Sequence, residues 1–364
     1  MATTLDPGEL AARVRRDAER SVLRLRNGLK HAAGVGRPTL SRTPRDVVWR
    51  SEKAELWRYR SDDRQVRTPL LFVHSLVSRS YVFDLVPGNS VVEAMLGQGF
   101  DVFLVDWGVP DELEAANTLE TYTDGYIPRI IDHVAELTDS EVNVFGYCFG
   151  GVMSMLSVAG NASPVRSLAV QATPVDWSRM GPFTTLLQQG RLEPDQVIDQ
   201  TGNVSEDVML NSMRVVQPIG EITQYVDLWQ HLWNDQYVAA HQVMTHWATD
   251  HIPFPGAAFR QTVDLFARRN LLMTGHVPLG GRTVDLSAIT VPFLNILGEK
   301  DTLVPAESSM PATGLVGSDD AEEFRHPAGH VGLVVGRTAH KKYLPALGDW
   351  LRRHSDPVTE GDTR

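Results

Sequence analysis

Residues 146 to 151 read GYCFGG, and at the centre of that run stands Cys148, the one cysteine among 364 residues. An apolar stretch, VNVF, precedes it, and GVMSML follows. A strand, a Gly-x-nucleophile-x-Gly turn and a helix together make a nucleophile elbow, in which the nucleophile sits at a strained corner. Its neighbours two before and two after must lack side chains, and Gly146 and Gly150 occupy those places. The helix that follows aims its free N–H groups and its positive end at the turn, which favours a thiolate and an oxyanion beside it. A lone cysteine is more often an inert apolar filler. The glycines and the strand–helix setting distinguish this one.

A nucleophile needs a base, and the base needs a group to orient it. NILGEKDTLVP ends a strand with Asp301 in a turn, and HPAGHVGLVVG ends the next with His330 between small residues at a helix start. Cys148, Asp301 and His330 thus follow one another in the order the elbow requires, each at a strand end. Of the other histidines, His326 belongs to the strand itself, while His246 and His251 lie in a helical region. His74, in the loop after PLLFVHS, is a competing base. That loop should also supply one oxyanion donor, the backbone N–H of Leu76 or Val77, to act with that of Phe149. HWATDH lacks a third and fourth ligand for a metal, so none is expected. No glycine loop of a phosphate-cradling type is present, and no cofactor is expected.

These residues must be carried by an alternating framework. DVVWRS and AELWRYR read as a leading antiparallel pair. PLLFVHS, DVFLVDW, VNVFGY and RSLAVQA read as short buried strands, with helical stretches near 88–98, 121–137 and 149–159. The alternation implies an α/β protein whose mostly parallel sheet is covered by helices on both faces. From 176 to 285 it gives way to helical patterns without convincing strands, read as a cap insertion. It then resumes with VPFLNILGEKD, EEFRHPAGH and a last helix over 333–353. The core therefore spans 45–175 and 286–354, and a tail from 355 to 364 is expected to be disordered. Residues 1–44 read as a separate amphipathic helix and linker. Asp6 is its cap, Pro7 suits its first turn, and Leu10, Val14, Ala18, Val22, Leu25 and Leu29 form one apolar stripe opposite a basic face.

A formal net charge of -11 argues against general affinity for nucleic acid or anionic membranes. A single cysteine makes no internal disulfide, no apolar run reaches the length of a spanning helix, and the opening MATTLDPGELAARVRRDAER has no apolar signal core. A cytoplasmic enzyme is expected.

At this point the chain resembles a family. GYCFGG, LVSRSYVFDLVPGNSVVEAMLGQGFDVFLVDWGVPD, WATDHIPFPG, GGRTVDLSAITVPFLNILGEKDTLVP and GHVGLVVG are similar to the motifs of polyhydroxyalkanoate synthase catalytic subunits, nearest the short two-subunit class III type. The match runs from about residue 45 to 353. Ser78-Arg79 departs from the family's frequent Asn-Arg, and the basic first helix lies outside the match. The resemblance implies an α/β-hydrolase fold and transfer of 3-hydroxyacyl groups from coenzyme A to Cys148, then to the hydroxyl of a growing polyester. In the family's scheme His330 deprotonates Cys148, and Asp301 orients His330 and helps activate the incoming hydroxyl. A second synthase subunit or a homodimer, and the surface of polyester granules, are the partners it implies. Two alternatives stand beside it: a cysteine hydrolase (a thioesterase, esterase or dienelactone hydrolase-like enzyme), and a non-catalytic granule protein that kept the fold.

Overall fold

The computed structural model describes residues 7–32, 40, 43–61, 63–216, 228–335 and 339–359. Eight strands make the central sheet: β1 (Asp46–Ser51), β2 (Ala54–Tyr59), β3 (Leu70–Val73), β4 (Val102–Asp106), β5 (Val142–Tyr147), β6 (Val165–Gln171), β7 (Phe293–Gly298) and β8 (Ala321–His326). They lie in the order β1-β2-β4-β3-β5-β6-β7-β8. The first two joints are antiparallel and all later ones parallel.

The composition of the central strands explains their place. Every residue of β3, β5 and β7 is buried, so these strands need apolar side chains on both faces rather than alternation. On one face Phe72 packs on Phe83 and Phe145, with ring centroids 4.8 and 5.1 Å apart. On the other, Leu71, Val73 and Val144 join a core with Ile130, Ile131 and Met155. Ile130 and Ile131 come from the helix Ile127–Thr138, whose second residue is Pro128 and which ends at Asp139 in the left-handed region (φ 48°). Met155 comes from the helix Phe149–Gly160, whose first nine residues are all buried. Because β4 and β5 flank β3 on opposite sides, the loops leaving β3 and β5 diverge at the carboxyl edge of the sheet. Ligand sites form in such a crevice in open α/β sheets.

The region from 176 to 285 differs from the single helical insertion expected. Residues 176–216 and 250–285 belong to the same compact unit as the sheet, whereas 217–249 form a second unit with residues 1–40. Two short antiparallel pairs also occur there: Asn203–Val204 with Phe254–Pro255, and His276–Leu279 with Arg282–Asp285. The second is a hairpin closed by Gly280 and Gly281, both at positive φ, the conformation that a two-residue turn between twisted strands requires. HVPLGGRTVD carries that signal openly. The tail is also partly ordered. Arg67 N donates to Asp356 O, Val358 N to Gln65 O, and Asp356 N to the Thr68 hydroxyl. Pairing to the 65–68 loop fixes 356–358; residues 360–364 lie outside the described residues.

In the smaller unit the helix Pro7–Ala32 meets residues 228–249 through its polar side. Asn27 Nδ2 donates to Leu232 O at 2.7 Å, Arg26 forks onto both oxygens of Asp235 at 2.7 Å, and Arg20 lies 4.5 Å from the Trp233 ring centroid. The apolar stripe is turned outward over its described part: Val22, Leu25 and Leu29 are 69%, 68% and 64% exposed. The Asp6 cap and most of the linker lie outside the described residues.

Candidate active site

The end of β5 builds the corner. Cys148 has φ 56° and ψ -125°, a strained conformation for a residue with a side chain. Its N–H donates to Gln171 O at 2.8 Å, and its carbonyl accepts from Gly151 N at 2.9 Å, so both neighbours hold it there. The glycines are steric necessities. A Cβ at Gly146 would lie 2.5 Å from the Gly151 Cα, and one at Gly150 would overlap the Val73 carbonyl oxygen and come within 2.8 Å of the His74 carbonyl carbon. The second contact presses the elbow against the loop that leaves β3.

Asp301 and His330 arrive from the loops after β7 and β8. Asp301 Oδ1 accepts from Leu303 N (2.9 Å) and Val304 N (2.8 Å). That fixes the carboxylate and leaves Oδ2 to accept from His330 Nδ1 at 2.7 Å. The two side chains are 0% and 5% exposed. With Nδ1 so occupied, the ring's other nitrogen is left free of Asp301, and Cys148 is among the groups that act on the ring. Burial by itself lowers the proton affinity of His330. The charges of Asp301 and Cys148 and the hydrogen bonds to both outweigh it, and its titration is pushed up to about 10. The ring is held from the nucleophile's strand as well: Tyr147 at the end of β5 lies tilted against it (centroids 5.0 Å, 32°), and its hydroxyl donates to His330 O at 3.3 Å. Burial first, then the nearby charges of Cys148 and Asp301, raise the Tyr147 phenol and keep it protonated.

The other expected donors sit where the elbow meets β3. Among the described residues, neither the Leu76 nor the Phe149 backbone N–H has a partner. His74, the competing base, is buried, and burial pushes it down to about 4 against the opposing charge of Asp106. Neither of its ring nitrogens makes a hydrogen bond of sound geometry. It is a neutral group beside Trp107, whose Nε1 donates to His74 O at 3.0 Å. His326 ends β8 stacked near Tyr343 (5.7 Å) and takes no part. His251 turns to the loop after β3, donating from Nδ1 to Val77 O at 3.0 Å, and Asp250 accepts from the Tyr81 hydroxyl at 2.7 Å. An aromatic wall backs the elbow: Phe149 meets Phe254 (5.8 Å) and Phe266 (6.4 Å), and Phe266 meets Trp177 (6.0 Å).

Sequence reasoning missed Tyr147, Asp250 and His251. Tyr147 is legible as the apolar-faced neighbour of the nucleophile. Asp250 and His251 stand in the WATDHIPFPG motif, but their partners lie 169 and more residues away and local sequence does not name them.

Sheet order and elbow define the class, the α/β-hydrolase fold. The family model for that fold matches residues 68–196, and the model described as the N-terminus of poly-beta-hydroxybutyrate polymerase (PhaC) matches residues 10–95. A hydrolase from Pseudomonas aeruginosa of known structure is similar with TM-score 0.52 at 14% identity, covering 85% of this chain and 99% of that one. Among sequence relatives, the poly(3-hydroxyalkanoate) polymerase subunit PhaC of Haloferax mediterranei is 33% identical over 333 residues, 90% of this chain and 68% of the relative. That of Allochromatium vinosum is 34% identical over 314 residues, 85% and 88%. The chain belongs to the PhaC family of poly(3-hydroxyalkanoate) polymerases.

Proposed function

We propose that this protein polymerises 3-hydroxyacyl groups delivered as coenzyme A thioesters, with Cys148 as the acyl carrier. The observation that carries the reading is the buried His330–Asp301 hydrogen bond together with Cys148 at a nucleophile elbow, in a chain of the polymerase family. His330 takes the Cys148 proton, and Sγ attacks the thioester carbonyl carbon. The oxyanion forms against the Phe149 and Leu76 N–H groups. The carbon–sulfur bond to coenzyme A then breaks, and its sulfur leaves with the proton from His330. In the second half the terminal 3-hydroxyl of the chain attacks the acyl carbon, passing its proton to His330 while Asp301 steadies the imidazolium, and Cys148 is freed. Exchange of one thioester for another is nearly balanced, which suits a thiol to repeated transfer. The Phe149, Phe254, Phe266 and Trp177 wall favours an apolar acyl chain and disfavours water. No cofactor enters this scheme.

Among the described residues no helix is long and apolar enough to cross a membrane. We place the protein in the cytoplasm at the polyester surface, with the exposed Val22, Leu25 and Leu29 as a contact for that surface or for a second subunit. The test is incubation with 3-hydroxybutyryl-CoA. Release of CoA with insoluble polyester is expected. Free 3-hydroxybutyrate would instead mark a hydrolase, and no CoA release a non-catalytic protein.

A further inference from the structure

The loop that leaves β3 has few internal supports. Leu76, Val77 and Ser78 are buried, yet the loop contains no regular structure beyond a turn. What holds it comes from residues 250–252, over 170 positions later. Val77 O accepts from His251 Nδ1 at 3.0 Å and from Ile252 N at 3.4 Å, and Ser78 pairs with His251 in an isolated antiparallel bridge. Directly beyond, Asp250 takes Arg79 Nε on one oxygen at 3.3 Å and the Tyr81 hydroxyl on the other at 2.7 Å. Burial, and then this bond to the carboxylate, raise the Tyr81 phenol and keep it a donor. On the far side Ser80 donates to Asp106 at the end of β4. The Val77 carbonyl is therefore drawn toward 251–252. Its orientation constrains the adjoining peptide plane, which carries the Val77 N–H, and through it the next plane back, which carries the Leu76 N–H.

We infer that Asp250 and His251 form a latch that positions the backbone donor of the loop after β3 for the oxyanion formed at Cys148. This rests on the acyl-transfer reading of the site but not on the identity of the acyl donor. Both are positioning residues, touching neither thiol nor substrate. The loop must be held because a backbone N–H on an irregular segment has no ladder to fix it, and oxyanion stabilisation needs the donor in place before charge develops.

Two reactions of the same thiol separate this role from a merely structural one. Alkylation of Cys148 by iodoacetamide is displacement at saturated carbon and makes no oxyanion; acylation by p-nitrophenyl acetate does. Asp250→Ala and His251→Leu should slow the p-nitrophenol burst roughly 10- to 100-fold, in kcat rather than KM, and leave alkylation and Tm unchanged. His251→Asn, whose Nδ2 stands as far from the backbone as the imidazole Nδ1, should restore most of the burst. The inference is overturned if the burst is unaffected, if alkylation falls with it, if His251→Asn behaves as His251→Leu does, or if the wild type gives no burst. CoA release from 3-hydroxybutyryl-CoA is measured in parallel. Its absence from a wild type that shows the burst and its latch dependence would refute the polymerase reading and leave the latch standing.

Discussion

Replacing Gly150 by alanine should damage stability and catalysis together, for one geometric reason. The added Cβ would overlap the Val73 carbonyl oxygen and lie 2.8 Å from the His74 carbonyl carbon and 2.9 Å from the His74 oxygen. That is about 0.7 Å short of the ~3.5 Å at which carbon atoms pack without repulsion. The obstructing atoms are backbone at the end of a central strand, where Val73 pairs with Gly146, so no side chain can swing aside. Either β3 or the elbow must yield by several tenths of an ångström. Overpacking of this kind costs about 1–3 kcal/mol. At about 2–4 °C per kcal/mol for a domain of 150–250 residues, and less for a longer chain, the melting temperature should fall by a few degrees. Because the same movement separates the two sides of the crevice, acylation of Cys148 should drop about 100-fold, the size of one lost oxyanion donor. Gly314→Ala is the control, having no neighbour within 4 Å of the added atom, and should be neutral. Circular dichroism melts and burst kinetics on both variants measure the two effects. Full activity in a Gly150→Ala protein with unchanged Tm would refute the reasoning.

Asp301→Asn removes the largest charge that opposes the effect of burial, so the His330 titration should fall from about 10 toward its ordinary value of 6.5. The inflection of Cys148 alkylation that marks loss of the His330 proton should move from the alkaline limb to neutral pH, and an unmoved inflection would contradict the ion-pair assignment. Since the folded value is raised, this pair's contribution to stability is complete below 6.5 and lost as pH rises through about 10. Urea unfolding of the variant should therefore be flatter over that window than that of the wild type. Replacing Val22, Leu25 and Leu29 together by serine should leave the melting temperature and Cys148 acylation unchanged, since all three are exposed. It should weaken co-sedimentation with polyester granules by roughly 1–3 kcal/mol, the worth of a few partly buried apolar side chains; undiminished sedimentation would remove the stripe from the account.

The inner strands of the sheet were readable because they are short Val, Leu or Phe runs bounded by turn residues, and β1 and β5 span the very stretches the pattern marks, DVVWRS and VNVFGY. The candidate residues Cys148, Asp301 and His330 could be picked out because strand ends present side chains at one edge and an elbow implies their order. Local pattern could not reveal which residues meet across long separations. Asp250 and His251 look like the end of a helix, and only the folded chain brings them to Val77 and Tyr81. The 356–358 segment is held chiefly through its backbone, against the 65–68 loop, and such bonds carry no side-chain signature. The first helix misled in another way. Its apolar spacing marks a stripe correctly, but spacing does not say whether a stripe faces inward, and Asn27 and Arg26 make the packed face instead.

The central claim is that Cys148 carries the acyl group. Intact-protein mass spectrometry after mixing with 3-hydroxybutyryl-CoA tests it most directly, with CoA release followed on the same samples. The account predicts a 3-hydroxyacyl adduct on the wild type, mapped to the peptide that holds Cys148. It predicts neither adduct nor CoA release from a Cys148→Ala protein that melts as the wild type does. CoA release by that variant above roughly a hundredth of the wild-type rate, where loss of a true nucleophile costs far more, would contradict it.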